Sequence, residues 1–553
     1  MAQTQPFGFA CFGGLDINQS QFVLQQQQAG TAVDLVNFEV DSDGGYRRIS
    51  GFAPLGFTSG RINNSTASDL SGTVLGLTAY GDGAVVAIDD DIYFGAEGFD
   101  ASDLSIPYIR INRTGGVTPA ASGGQNFSTF NALSVSNRTN QGRVDFTHYE
   151  SDSEFGELVI CDGVNAPLHF KVTGSGAFTD KTLYVNAGIT ISGATNPAFS
   201  IIHQNRLVTG GSSANPNVIA YSNTNDIDDF SGGGSITLED KVVGLRAFRG
   251  DIIVFCESSI YRLVNLGLSD QTLVPITKNI GCISRFSIQE IGGDLVFLAP
   301  DGIRTVAATE KIGDTELGSV SRQIQPIVVG EIINNINNLI ITSTVIRSKN
   351  QYRLFYSTLS GDQKDGKGII GTLTSNGFAW SQIKGIQVHA ITSTYNDDGL
   401  EKIFHGDGDG RLYTHDTGTK FFYDGSTTGI NIDTVYRTPF FDFGDAATRK
   451  TLNFLKLDIE GEGEIIPKLQ ITFDNEDDNV PQPPPYTLES INAPSLFDFA
   501  TFGNNVFSAA RKASKKQPVQ GSGHNISFEF KTDSASSFII NGVYVDYYPS
   551  GRR

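Results

Sequence analysis

Two stretches carry the same grammar: Val242–Val264, VVGLRAFRGDIIVFCESSIYRLV, and Phe286–Val306, FSIQEIGGDLVFLAPDGIRTV. Each reads as a strand, a Gly–Asp turn (Gly250–Asp251 and Gly293–Asp294), an apolar strand, a second tight turn and a third short strand. Ile252-Ile253-Val254-Phe255 in one corresponds to Leu295-Val296-Phe297-Leu298 in the other, and Ile260-Tyr261-Arg262 to Gly302-Ile303-Arg304. A strand–turn–strand unit recurring at about 40 to 50 residues predicts adjacent blades of a β-propeller.

The same grammar extends outward in both directions. It recurs at 74–95 (VLGLTAYGDGAVVAIDDDIYFG), 156–172, 200–223, 343–358, around the Asn376–Gly377 hairpin signal, and at 399–416. About seven or eight such units between residues 70 and 420 predict five to seven blades. Residues 318–342 are the best helix candidate, with apolar positions every three to four residues, and are expected to cross between blades. Upstream, Val33–Val40 and Tyr46–Ile49 flank Asp43-Gly44-Gly45 and predict a β-hairpin. Downstream of 430, strict alternation from Leu452 to Ile459 and further apolar runs near the C-terminus predict a separate β domain. The expected architecture is all-β: an N-terminal extended leader and hairpin over 1–65, a β-propeller over 66–430 and a C-terminal β domain over 431–553.

Composition agrees with short strands joined by tight turns. The 553 residues include 62 Gly and 56 Phe plus Tyr, with Met only at position 1. The formal net charge of −20 argues against a nucleic-acid reader with a basic face, and suits a wall past which DNA slides without sticking. The last 45 residues run against this trend, with seven Lys/Arg and three Asp/Glu, and Arg511–Lys516 reads as a solvated basic loop. Cys11, Cys161, Cys256 and Cys282 form no CxxC pair and are expected as buried free thiols. The N-terminus, MAQTQPFGFACFGG, lacks the charged and apolar regions of a signal peptide, and no run approaches 18 apolar residues. Synthesis in a cytoplasm and no membrane span are therefore expected.

Chemistry was sought in the same residues. GDQKDGKG at 361–368 departs from a phosphate-binding loop where Gly368 replaces the Ser or Thr that would hold Mg²⁺. Asp407-Gly408-Asp409-Gly410 lacks the later ligands of a calcium loop and reads as a turn. His405 and His415 sit where a hairpin would bring them together, but no Cys accompanies them. Trp380 is the only tryptophan, which weakens a carbohydrate-platform reading. No cofactor, metal or catalytic activity is expected. Asp474-Asn475-Glu476-Asp477-Asp478-Asn479, followed by Pro481 and Pro483-Pro484-Pro485, reads as an extended, solvated loop.

Several segments share a flavour with one family. Asp34-Leu35-Val36-Asn37, running into Arg47-Arg48-Ile49-Ser50-Gly51-Phe52, resembles a D-x-x-N segment that precedes a hairpin ending in R-R/K-x-G-F. Residues 245–263 and 279–306 look like the central blades of the same group. Tyr221–Phe230 is similar to its S…P-x-D-F/W turn. Thr438–Gly444 with Thr448-Arg449-Lys450 is similar to the strand that opens its C-terminal domain. The chain thus resembles the nozzle (tail tubular protein B-like) family of short-tailed bacteriophages, although it is shorter than the best-known nozzles. The resemblance implies a structural virion protein in the phage tail, assembled in the host cytoplasm. It implies a homohexameric ring below a dodecameric tail adaptor, contacts with tail fibre or tailspike proteins, and a conduit that retains and then passes double-stranded DNA during genome ejection without sequence-specific binding. Within that picture the loop holding Asp474, Glu476, Asp477, Asp478, Pro483, Pro484 and Pro485 is the candidate gate. The competing reading is a secreted or virion-associated propeller that binds or hydrolyses host-surface glycans.

Overall fold

The computed structural model describes the chain apart from residues 1–3, 28–29, 42–43, 55–71, 81–82, 90, 96–107, 113–115, 121–141, 152–155, 174–181, 187–188, 192, 307–318, 360, 396–398, 424–425, 427, 462, 489–490, 494–511 and 551–553. The fold is all-β, a propeller with a β-sandwich attached.

Five sheets are blades built only of consecutive antiparallel strands. Blade 1 holds Val74–Tyr80, Gly83–Ile88, Asp91–Gly95, Tyr108–Asn112 and Gly116–Ala120. Blade 2 holds Asp145–Tyr149, Glu157–Cys161, Leu168–Thr173 and Thr182–Asn186. Blade 3 holds Phe199–His203, Arg206–Gly210, Val218–Tyr221 and Gly234–Thr237. The two opening stretches are blades 4 and 5: Val242–Phe248, Asp251–Cys256, Ile260–Val264 and Thr272–Thr277, then Gln289–Ile291, Asp294–Ala299 and Gly302–Thr305. Their shared Gly–Asp turn has a backbone cause. Arg249 and Gly250 both take positive φ (52° and 89°), as do Gly292 and Gly293 (61° and 75°), the geometry that twists a two-residue hairpin correctly. Phe255 and Phe297 meet between the two blades with ring centroids 5.2 Å apart, in a seam with Ile253, Ile288 and Leu295.

Two composite sheets complete the ring. Blade 6 begins with Leu339–Ile346, Gln351–Thr358, Lys367–Thr374 and Gly377–Lys384, and blade 7 with Ala390–Tyr395, Glu401–Gly406 and Leu412–His415. The first strands pack in sequence around the axis. Val74–Tyr80 lies against Asp145–Tyr149, then follow Phe199–His203, Val242–Phe248, the turn Arg285–Ser287 with Gln289–Ile291, Leu339–Ile346 and Ala390–Tyr395, which returns to Val74–Tyr80. Phe52–Pro54, just ahead of blade 1 in sequence, pairs antiparallel with Leu412–His415 and so ties the start of the propeller to its end. Burial of Phe52 against Phe421, Tyr413 and Tyr423 anchors this closure. The expected helix is present between blades 5 and 6 as a continuous run of tight and wide helical turns from Arg322 to Asn338, but Leu339 onward is already strand.

Beyond blade 6 the same sheet continues through Asp34–Val36, Thr434–Arg437, Ile526–Thr532, Lys468–Phe473 and Tyr486–Thr487. A second sheet packs over this extension: Phe38–Val40, Tyr46–Arg48, Phe538–Pro549, Lys450–Gly461 and Lys512–Pro518, with Gln5–Ala10 alongside Phe538–Pro549 and Ser522–Gly523 alongside Lys450–Gly461. The two form a sandwich filled by Phe9, Tyr46, Leu455, Ile471, Phe528 and Val545. This redraws the expected division at 65 and 430. The leader is not a unit of its own, because its strands satisfy their backbone groups in the same two sheets as the C-terminal strands. The basic stretch is also redrawn: Lys512–Lys516 is strand, paired with Lys456–Glu460, while Arg511 lies outside the described residues. The predicted hairpin is present, pairing Phe38 with Arg48 and Val40 with Tyr46; Asp43 of its turn lies outside the described residues. All four cysteines are buried thiols outside any disulfide, and burial pushes the Cys11, Cys256 and Cys282 thiols up to about 12.

Asn37 is where the chain changes sheets. Its φ of 57° breaks one strand into Asp34–Val36 and Phe38–Val40. Asn is among the few residues that visit this conformation at modest cost. Its side chain fixes the break, donating to the Asp433 carbonyl at 2.8 Å and accepting from the Lys384 amide at 2.9 Å.

The next residue but one, Glu39, joins sandwich to propeller. Its carboxylate accepts from Arg353 of blade 6 at 2.9 Å and from Lys349 at 3.0 Å. Both cations also reach Asp416, at the end of blade 7. Arg353 is 1% exposed and Glu39 3%. Burial alone would push Asp416 up, but Arg353 and Lys349 outweigh it and hold the carboxyl well below its usual range. Arg353 also lies 3.4 Å from His415 Nε2. An arginine can only donate, so Nε2 accepts, and His415 Nδ1 carries the proton toward His405 Nδ1 at 3.2 Å. The anticipated histidine pair is thus two neutral rings in a core. Burial, with Arg353 adding to it, lowers His415 to about 3; burial, with His415 adding to it, holds His405 well below normal.

Arg353→Met should destabilise the fold by about 3–5 kcal/mol, because it removes the buried cation and leaves Glu39 and Asp416 with Lys349 alone; urea unfolding at pH 7 measures this. A second expectation concerns acid. His389, His405 and His415 all have folded-state pKa values below the unfolded value, so the unfolded chain binds more protons and stability falls as pH drops from about 6.5. The loss is about 1.4 kcal/mol per pH unit for each fully buried histidine. Unfolding curves between pH 7 and 5 check it, and His405→Phe should make the dependence shallower.

Candidate functional site

The candidate gate grows from the edge of the sandwich. Strand Lys468–Phe473 ends where Asp474, Asn475 and Glu476 take three successive left-handed conformations (φ 50°, 56° and 64°). Such a run is held only by outside contacts. Asp474 Oδ1 supplies them by accepting the amides of His524 at 2.6 Å and Asn525 at 3.0 Å. Glu476 pairs with Arg437, two strands away across the same sheet. Asp477 accepts from Asn479 through its backbone and side-chain nitrogens, which lowers its pKa. Asp477, Asp478, Pro484 and Pro485 are exposed, and Pro483 is half-buried.

The loop is solvated, as expected, but it is clasped. Gln482 accepts from the Phe473 amide at 2.8 Å and donates to the Phe473 carbonyl at 3.0 Å, and Gln470 donates to Pro483 O at 3.1 Å. Tyr486–Thr487 then pairs back onto Lys468–Leu469. The acidic and proline residues therefore belong to one tied-down hairpin connection on the sandwich.

The sandwich's outer face carries a different set. Gly8, Tyr544, Lys456 and Lys516 stand side by side across four strands. All four are exposed, Tyr544 by 56%. A side chain at Gly8 would collide with the Tyr544 ring, which lies across it, and the Lys516 ammonium sits 3.7 Å over the Phe454 ring. The result is an aromatic and basic row on a protein of net charge −20.

A third place was not anticipated. Where the inner strands converge on the propeller axis lies a cavity of about 160 Å³, lined by Thr78, Arg143, Asp145, Arg246, Gln289 and Ser343 among others. Arg143 donates to the carbonyls of Ile341 and His389, and its guanidinium lies 3.5 Å over Phe286. Arg285 stacks on the same ring at 4.3 Å and donates to the Arg143 carbonyl at 3.0 Å. Arg246 donates to Leu245 O and Ile288 O at 3.2 and 3.3 Å. The sequence signal was visible in hindsight as Arg on inner-strand segments: GRVDF at 142–146, GLRAF at 244–248 and SRFS at 284–287.

The weaker motifs resolve into turns. Asp362 caps a short turn through Gln363–Asp365, and Lys367 opens a strand. Asp407 is buried and accepts from the amides of Asp409 and Arg411 within its hairpin. Trp380 is fully buried, with its indole N–H donated to Val320 O at 2.9 Å. Among the described residues no group of three or more His, Cys, Asp or Glu is arranged to hold a metal ion, and no helix is long and apolar enough to cross a membrane.

No family model and no curated protein matches the chain. Among solved structures, an exo-β-1,3-galactanase from Phanerochaete chrysosporium aligns over 89% of this chain and 100% of its own at 9% identity, with a TM-score of 0.23. The N-terminal domain of Nup159 aligns over 49% of this chain and 74% of its own at 10% identity and a TM-score of 0.30. The extracellular domain of the one-component system BT4673 from B. thetaiotaomicron covers 62% of this chain and 51% of its own at 11% identity and a TM-score of 0.30. Likenesses this distant bear on no chemistry of the present chain.

Gln482→Ala should remove both clasping hydrogen bonds, at about 1–2 kcal/mol of local stability. Hydrogen exchange at the Phe473 amide and proteolysis within 474–486 should quicken, while exchange in the blades stays unchanged.

Proposed function

We propose that this chain is a structural virion protein, a non-enzymatic subunit of the nozzle ring at the end of a short phage tail, forming a homohexameric conduit for double-stranded DNA. The observation that carries the reading is the construction of the sandwich. Strands from early and late in the chain, Gln5–Ala10 and Phe538–Pro549, are paired within it, it is continuous with a propeller blade, and among the described residues it presents an exposed row of Gly8, Tyr544, Lys456 and Lys516. A subunit that must keep its shape under load gains from such a seamless joint. An uncovered aromatic and basic face suits a neighbour with an acidic surface, and a second copy of a chain with net charge −20 supplies one. The resemblance of the leader and of blades 4 and 5 to the nozzle family supports the same reading. The tail adaptor and the fibre or tailspike proteins are its proposed partners, and the clasped loop at 474–486 its proposed gate.

Native mass measurement of the purified chain, alone and with the tail adaptor, tests this. A species six times the chain mass is expected. Tyr544→Asp should shift it toward monomer while changing unfolding stability by no more than about 0.5 kcal/mol, as expected of an exposed site. A chain that stays monomeric with every tail partner, or that releases sugars from surface glycans, would exclude the reading and favour a glycan-directed propeller.

A further inference from the structure

We infer that the axial cavity of the propeller is a binding site for a small free oxyanion of the phosphate or sulfate class, held by Arg143 and Arg246 with Arg285 stacked beside the cavity on Phe286. The inference does not depend on the assembly reading. It rests first on charge. Three guanidinium groups gather around the cavity and the turn beside it, and Asp145 is the only carboxylate among the described residues lining it. The local sum is two positive charges in a chain whose total is −20, so this is not a reflection of overall composition.

It rests second on unspent hydrogen-bonding capacity. The partners of these arginines are mostly backbone carbonyls, which accept a hydrogen bond without neutralising the cation. The Nε of Arg143 and the Nε of Arg285 are buried with no hydrogen-bond partner among the described residues. Buried donors of this kind are costly unless something accepts from them or draws the guanidinium toward a new acceptor. Burial and the neighbouring Arg285 push Arg143 down to about 9, which is the signature of a cation short of counter-charge. Asp145 does not offset this well, since its own burial pushes it up and one of its oxygens is engaged by the Ser200 amide at 3.3 Å.

It rests third on size and lining. A cavity of about 160 Å³ holds roughly five waters at about 30 Å³ each, room for one tetrahedral oxyanion and residual solvent. Thr78 and Ser343 line the cavity from blades 1 and 6, across the axis from Arg246 of blade 4; Ser343 Oγ already donates to Phe286 O at 2.6 Å and Thr78 Oγ1 lies 2.9 Å from His148 Nε2, so the donors left for an anion are those of the arginines. A dianion there would offset the local charge and add to the links across the axis that Arg143 already makes to Ile341 and His389.

The test uses the full chain and inorganic phosphate. Calorimetric titration and thermal unfolding are run against sodium chloride at equal ionic strength. Phosphate should bind at one site per chain and raise Tm in a saturable way, beyond any effect of chloride. Arg246→Gln should weaken binding by about tenfold or more. Asp145→Asn, which removes the one opposing charge and keeps the shape, should tighten it; this arm stands even where the arginine variant fails to fold. Equal stabilisation by chloride, unchanged affinity in a folded Arg246→Gln chain, or binding no tighter in Asp145→Asn would overturn the proposal. So would stabilisation by a DNA oligonucleotide but not by free phosphate.

Discussion

The ion network of Glu39, Arg353, Lys349 and Asp416 is the point on which the two halves of this molecule turn. The members come from the leader, from the second strand of blade 6, from the turn just before that strand and from the end of blade 7. Buried charges contribute little net stability against a well-packed apolar alternative, but they are severe when a partner is missing. The network therefore acts as a registration device. A leader that enters the sandwich out of step, or a seventh blade closed at the wrong register, strands a carboxylate in a region without water. The tautomers of His415 and His405 follow from the same arginine, so the constraint spreads into the aromatic core around Phe52.

That registration explains how so long a chain can afford ends that meet. Phe52–Pro54 closes the propeller, while Gln5–Ala10 pairs with Phe538–Pro549 nearly the whole chain length away. Both pairings are expensive in loop-closure entropy, although the cost grows only slowly with separation. Asn37 lets one leader strand serve both sheets without a connecting loop. The seam between sandwich and propeller thus includes a sheet joint, where Val36 registers with Gln382 and the Asn37 amide donates to the Gln382 carbonyl.

Local order was legible in the sequence, because it is encoded by neighbours. The Gly–Asp turns of blades 4 and 5, the Asn376–Gly377 hairpin and the hairpin at Phe38–Arg48 each declare a positive-φ requirement and an alternating flank. The burial of the cysteine thiols outside disulfides followed from the apolar segments in or beside which they lie. What alternation does not encode is which strand lies beside which. Leader and C-terminal strands look like two separate domains because each is amphipathic alone, and only their shared core shows that they are one. The gate residues illustrate the same limit. Acidity and proline announce exposure, correctly for Asp477 and Asp478, but the clasp by Gln482 depends on a glutamine that looks like any other polar loop residue.

The axial arginines carry the hardest lesson about long-range placement. Each blade presents its first strand to the axis as an edge, with carbonyls that no further strand can pair. Water would satisfy them in an open channel. Here Arg143 and Arg246 do so instead, reaching Ile341 and His389 on blade 6 and beside blade 7, and Ile288 beside blade 5. This solves the edge problem with long donors that need no partner strand, and Phe286 sandwiched between Arg143 and Arg285 keeps the guanidinium planes in place. The solution has a consequence that carbonyls cannot remove. Each arginine that satisfies carbonyls in this way brings a full positive charge to the axis, and Asp145, itself disfavoured by burial, is the one carboxylate among the described residues lining the cavity with Arg143 and Arg246. Closing the propeller's inner edge by arginine therefore generates, from backbone geometry alone, a pocket whose electrostatics call for an anion.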